Sequence, residues 1–182
     1  MTKLQKNALG AFLIYMMVLV WVILLKCNME WPIYVSRLSM GSMTIAERAE
    51  WSFCHFRFNG DGPINSRDAI EDIIVNVVLF LAIGMTLPMA LGKRKGLTPI
   101  FAFLISLGFE ITEFFDTIGG FAYIDLITNT LGAIIGMMIL HLLLKVIKTD
   151  SACKILGAAQ IAFAIIAVYG IINTIIHIDI YL

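Results

Sequence analysis

The sequence predicts an all-α fold: an integral membrane helical bundle of five transmembrane helices, with the N-terminus inside and the C-terminus outside. Three observations carry that prediction. Sixty per cent of the residues are hydrophobic and 14% are charged, where a soluble domain has about 25% charged residues. Five apolar segments reach or approach the roughly 20 residues that cross a hydrocarbon core as a helix. Lysine and arginine gather beside alternate ends of those segments, the pattern that fixes orientation in a membrane.

The first segment, Ala8–Leu25, is an apolar run of 18 residues. It exceeds the roughly 7–15 residues of a signal-peptide core and no small-x-small cleavage site follows. Leu24-Leu25-Lys26-Cys27 has the outline of a lipoprotein cleavage box, but Lys26 stands where a small residue is needed. The segment reads as an uncleaved anchor.

Residues 26–72 form the one long extramembrane stretch. Thr44-Ile-Ala-Glu47 is a capping box and predicts a short helix through about Phe53. Asn59-Gly60-Asp61-Gly62-Pro63 is a turn cluster. Ser66 then caps the second spanning helix, with Asp68 in its first turn. Trp31, Tyr34, Trp51, Phe53, Phe56 and Phe58 crowd this stretch. Aromatic rings favour the membrane–water interface, so anchoring on the outer leaflet is the favoured reading and a groove for a lipid-linked ligand the sharper one. Cys27 and Cys54 fall outside and Cys153 inside. No C-x-x-C pair or Cys/His metal spacing occurs, and free thiols are expected, with a Cys27–Cys54 bridge as the alternative.

The remaining spans are Ile73–Leu91, Leu97–Phe115, Ile124–Ile147 and Ile155–Ile176, and the whole chain, 1–182, reads as one membrane domain. Lys3 and Lys6 precede the first span; Lys93, Arg94 and Lys95 fill the second-to-third link; Lys145, Lys148 and Lys154 flank the fourth-to-fifth. The third-to-fourth link and the C-terminal tail have none. The positive-inside rule places every one of these basic clusters in the cytoplasm. Of the 13 carboxylates only Asp150 is then inside; the other 12 lie in outer loops or outer halves of spans. The net charge of zero supplies no basic face for nucleic acid, and the asymmetry directs attention to the outer face.

Polar groups inside these spans are the candidate functional residues, because an ionisable side chain at mid-membrane costs about 2.5–3.5 kcal/mol on insertion scales. On the third span Glu110 and Glu113 share one helix face at i, i+3. If the helix runs to Gly119, Glu110 lies about 13–14 Å inside its end. On the fourth, Asp125, Asn129, Gly132 and Gly136 fall on one narrow stripe. The two glycines permit close helix packing, and Asn129 either bonds across that contact or serves a ligand. Asn76 on the second span stands at similar depth, and Arg67 and His177 are charge partners expected near the same end. The inner half offers little: His141, Gln160 and the terminal lysines. Polar groups confined to one end argue against a proton-coupled transporter, whose sites lie near the midplane with access from both sides. Gly-x-Ser-x-Gly, His-Glu-x-x-His and phosphate-cradling loops are all missing, so an enzyme is disfavoured, and no metal or cofactor is expected.

The region from Arg67 to about Leu143 resembles the VanZ-like membrane proteins. Asn76, Leu79, Phe80 and Gly84 match that family's Asn-x-x-Leu-Phe-x-Pro-x-Gly element, and Ser106 with Glu110 matches its Ser-x-x-x-Glu-x-x-Gln. Asp125, Asn129, Thr130, Gly132 and Gly136 match its closing Asp, Asn-Thr-x-Gly-x-x-x-Gly. Ala82 replaces the family's proline, Glu113 its glutamine and Ala122 the first aspartate of its Asp-x-x-Asp; Gly119 or Gly120 stands where it has an arginine. The resemblance implies a multi-pass protein of the bacterial cell membrane, associated with resistance to the glycopeptide teicoplanin.

Together these readings predict an outward-facing polar pocket lined by Asn76, Glu110, Glu113, Asp125 and Asn129. It would bind a membrane lipid or lipid-linked envelope component, or alter access of a lipoglycopeptide antibiotic. The alternatives are an embedded enzyme using Glu110 and Glu113 on a lipid-linked envelope precursor, and a scaffold whose polar stripe only holds helices together.

Overall fold

The computed structural model describes residues 1–24, 43–47, 49, 66–115 and 121–178. Five long helices account for nearly all of them: α1 (Lys3–Leu24), α2 (Ser66–Leu91), α3 (Thr98–Phe115), α4 (Tyr123–Val146) and α5 (Thr149–Ile178), with a 3₁₀ turn, Gly92–Leu97, between α2 and α3. No strand occurs among the described residues. Four segments, Lys3–Val20, Ile73–Phe115, Tyr123–Val146 and Thr149–Tyr169, are long and apolar enough to cross a membrane. The second has 43 residues; as one straight helix it would run about 64 Å, twice a hydrocarbon core of about 30 Å. The 3₁₀ turn divides it into α2 and α3. The surface agrees with a lipid setting: Val78, Leu104, Met138 and Ile166 are among many large apolar side chains left more than half exposed, an apolar area that water would drive into association.

Specific contacts fix how the helices run. Tyr15 donates its hydroxyl hydrogen to the Leu79 carbonyl at 2.7 Å, and Gly92 abuts Gln5, so α1 and α2 are antiparallel. Gly132 abuts the backbone of Val77, and Gly136 that of Leu81, so α2 and α4 run parallel. Asn129 bonds Ser106 and the Ala122 amide bonds Glu110, so α3 runs against α4. Leu4 meets Cys153 and Tyr15 meets Phe163, so α5 runs parallel to α1. Successive helices therefore alternate in direction. Lys3, Lys6, Lys93, Arg94, Lys95, Lys145, Lys148 and Lys154, all exposed, collect at one end; Glu110, Glu113, Asp125 and Asn129 lie toward the other.

Two apolar clusters hold the bundle. The larger joins Phe12, Tyr15 and Leu19 of α1 with Leu79, Phe80, Ile83 and Leu87 of α2, Ala102 and Phe109 of α3, and Ala133 of α4. Within it Phe80 and Phe109 meet edge to face, with ring centroids 6.5 Å apart. The smaller lies under the basic end: Ala8, Met89, Ala90, Leu140, Ala152 and Cys153. Gly92 closes α2 with φ +59°, a left-handed conformation that a side chain resists.

Several sequence expectations are refined. The link between the second and third spans is a 3₁₀ turn, Gly92–Leu97. Helix α5 begins at Thr149, six residues before the expected Ile155. Lys154 is thus helical and pairs with Asp150 one turn earlier at 2.6 Å. The third helix is described to Phe115, and the expectation that it runs on to Gly119 falls outside the described residues. The capping box is present: the Thr44 amide donates to Glu47 Oε2 at 2.7 Å and the Glu47 amide to Thr44 Oγ1 at 3.3 Å, opening helical residues 45–47 and 49. The expected continuation to Phe53, the turn at 59–63, the interfacial aromatic residues, and Cys27 and Cys54 fall outside the described residues, as does the side chain of Ser66. Cys153 is free and buried.

Candidate functional site

Helix α4 starts at Tyr123 because Ala122 is extended, at φ −106° and ψ 103°. Alanine supplies no capping oxygen, so the cap comes from another helix. Glu110 of α3 accepts the Ala122 amide hydrogen at its Oε2, 2.7 Å away. That places a carboxylate at the positive end of the α4 dipole, where Asp125 in the first turn adds a second.

One turn deeper, Asn129 donates through Nδ2 to Ser106 Oγ at 2.9 Å, both side chains being buried. The other amide oxygen, Asn129 Oδ1, has no hydrogen-bond partner among the described residues. Thr128 turns its hydroxyl back to the Ile124 carbonyl at 3.0 Å, as Thr130 does to Leu126, so these hydroxyls are spent on their own helix. Glu110 and Glu113 are 4% and 8% exposed. Both, with Asp125, make further interactions, and none of the three is an isolated charge.

The α2–α4 register brings Asn76 to the same depth. Val77 faces Gly132, Leu81 faces Gly136 and Gly84 faces Ala133, offsets of 49 to 55 positions. Asn76 therefore stands level with positions 125 to 131, the stretch that holds Asn129; it is half-buried. The side chains of Arg67 and His177 are outside the description.

The structure thus bonds Glu110 to the start of α4 and Asn129 to Ser106, places Asp125 in the first turn of α4 and Asn76 at similar depth on α2, and buries Glu113 one turn along α3. Gly132 and Gly136 pack as expected: a Cβ at either would run into the α2 backbone. Glu110, Glu113, Asn129 and Ser106 are enclosed side chains rather than walls of an open vestibule. Among the described residues no three His, Cys, Asp or Glu groups converge to hold a metal ion. One polar pair escaped the sequence reading. Gln160 of α5 donates to Thr86 Oγ1 at 3.0 Å, both side chains being buried. A glutamine alone in an apolar helix was the available signal.

Comparison with known proteins gives the relationship. The VanZ/LLP1 family model matches residues 12–144. The chain is 29% identical over 130 residues to "Protein VanZ" of Enterococcus faecium, covering 70% of each chain. No solved structure matches. The match runs from Phe12, within α1, to Leu144, two residues short of the end of α4, with the glutamates, Asn129 and both packing glycines inside it: the chain belongs to the VanZ/LLP1 family.

Proposed function

We propose that this protein crosses the bacterial cell membrane five times with its basic end in the cytoplasm. Its outer polar cluster then binds a cell-envelope component or modulates access of a lipoglycopeptide antibiotic of the teicoplanin type. The orientation is supported by eight exposed cations at one end of the bundle, the arrangement that the positive-inside rule places in the cytoplasm. The observation that carries the functional reading is the buried polar cluster of α3 and α4 at the opposite end. In an apolar helix contact such groups are expensive, and one acceptor, Asn129 Oδ1, is not used by the described protein. Glu110, Glu113, Asp125, Asn129 and Asn76 supply mainly acceptors. They suit the hydroxyl, amide N–H and ammonium groups shared by envelope precursors and glycopeptides, with Arg67 and His177 as charge partners at the same end.

Teicoplanin carries an acyl chain and vancomycin does not, so action at the membrane surface separates the two drugs. In a sensitive Gram-positive host the wild-type chain is expected to raise teicoplanin tolerance more than vancomycin tolerance, and Glu110→Gln is expected to abolish that difference at equal membrane abundance. Equal shifts for the two drugs contradict the reading.

A scaffold role is the second reading, because the Glu110–Ala122 and Ser106–Asn129 bonds both tie α3 to α4. On that reading Glu110→Gln lowers abundance, and no selective activity is lost.

A further inference from the structure

Away from α3, a cleft of about 190 Å³ lies between α1, α2 and α5. It is somewhat larger than the ~150 Å³ engineered cavity that admits benzene. Val78, Met85, Leu156 and Phe163 line it, together with Thr86 and Gln160. The lining runs over 78–86 on α2 and 156–163 on α5, about 10–12 Å along the helices, so the space is long and narrow. Val78 is 58% exposed, and the cleft is therefore reached from the side of the bundle, where lipid would lie.

Gln160 is the chemically distinctive part of the wall. It is 4% exposed, and its orientation is fixed by a chain of bonds. Thr86 spends its hydroxyl hydrogen on the Ala82 carbonyl at 2.8 Å and so can only accept from Gln160 Nε2, at 3.0 Å. That leaves Gln160 Oε1 as the remaining amide atom, buried and with no hydrogen-bond partner among the described residues. The Tyr15 hydroxyl hydrogen, the other donor in the lining, is held by the Leu79 carbonyl. A buried acceptor without a donor is costly. No Lys, Arg, Asp or Glu lines the cleft, so a charged ligand would lose its hydration with nothing in return.

We propose that this cleft binds one hydrocarbon chain carrying a hydroxyl group, entered from the lipid side, with the hydroxyl hydrogen given to Gln160 Oε1. Length and narrowness select the chain, the lack of charge selects a neutral molecule, and the unused acceptor selects a donor. Gln160 lies beyond the family match at 12–144, and the proposal stands apart from the outer polar cluster.

The test uses the full chain in phosphatidylcholine nanodiscs. It is photolabelled with a diazirine-bearing octanol and, separately, with the corresponding diazirine octane, and labelled peptides are mapped by mass spectrometry. The octanol probe is expected to label 78–86 and 156–163 about fivefold more than the octane probe, the worth of one net hydrogen bond. Excess 1-octanol should compete at about fivefold lower concentration than octane. Gln160→Leu should equalise the two probes, and Ala159→Phe, which fills the cleft, should remove both labels. Equal labelling of the natural chain by the two probes, or labelling confined to other segments, overturns the proposal. That comparison needs no variant to fold.

Discussion

Helix α4 is held on two faces by different physics. Against α2 it presents Gly132, Ala133 and Gly136 to the Val77, Leu81 and Gly84 backbone, a contact made by shape and close approach. Against α3 it presents Asn129 to Ser106 and its own unsatisfied start to Glu110, a contact made by polar groups. The first needs small residues at fixed spacing and admits nothing else. The second needs particular donors and acceptors, yet it leaves one acceptor over. A purely structural contact gains nothing from a spare acceptor, and the difference is what marks the α3 face as the candidate site.

The comparison breaks most visibly on the glycine side. Gly132→Leu drives a side chain into the Val77 backbone and should cost about 3 kcal/mol or more, the upper range for overpacking. Leu131→Ala, on the half-exposed neighbouring position, should be close to neutral. Unfolding from detergent micelles compares the two.

On the polar side, Glu110→Ala leaves the Ala122 amide without its acceptor and should cost about 1–3 kcal/mol. Glu110→Gln keeps an oxygen there and should cost less, so function and stability separate in that variant. Smaller again is the Ser106–Asn129 coupling. A double-mutant cycle with alanine at each position should give about 0.6 kcal/mol and no more than about 1.7, the range for interhelical hydrogen bonds in membranes. A coupling near zero would mean that the polar face holds nothing together.

The smallest effect lies outside the bundle. The Thr44 backbone amide, and then its hydroxyl, hold the Glu47 carboxyl below the usual range. A lowered folded value means that the cap is fully present above the ordinary carboxyl range and is lost as pH falls through the lowered value. Carboxyl NMR titration should show Glu47 below ordinary glutamate, and Thr44→Ala, which removes the hydroxyl and leaves the amide, should raise it part of the way.

Much of this was legible in the sequence because membrane helices announce themselves by length and apolarity. The five helices, the basic end, the Thr44–Glu47 capping box and the Gly132/Gly136 packing stripe all follow from spacing alone. The partners did not follow. Periodicity tells which residues share a face, as it did for Asp125 and Asn129, but it does not name the helix opposite, so Ser106 as the partner of Asn129 waited for the structure. Glu110 was legible as costly and not as the acceptor that starts α4, since that bond crosses twelve positions and depends on Ala122 lacking a cap of its own. Helix α5 is apolar nearly all the way round. No stripe pointed to its packed side, and Gln160 gave no hint of Thr86. Its early start at Thr149 does not show in the sequence, where Lys148 and Lys154 flank the expected link.

The claim on which the functional account rests is that the polar end of the bundle faces outward. In a chain whose three cysteines are replaced by serine, single cysteines at Lys95 and Tyr123 probe the two ends. An impermeant maleimide applied to intact cells is predicted to label Tyr123→Cys and to reach Lys95→Cys only after permeabilisation. Labelling of Lys95→Cys in intact cells, with Tyr123→Cys protected until the membrane is opened, would turn the bundle over and contradict an envelope-facing site.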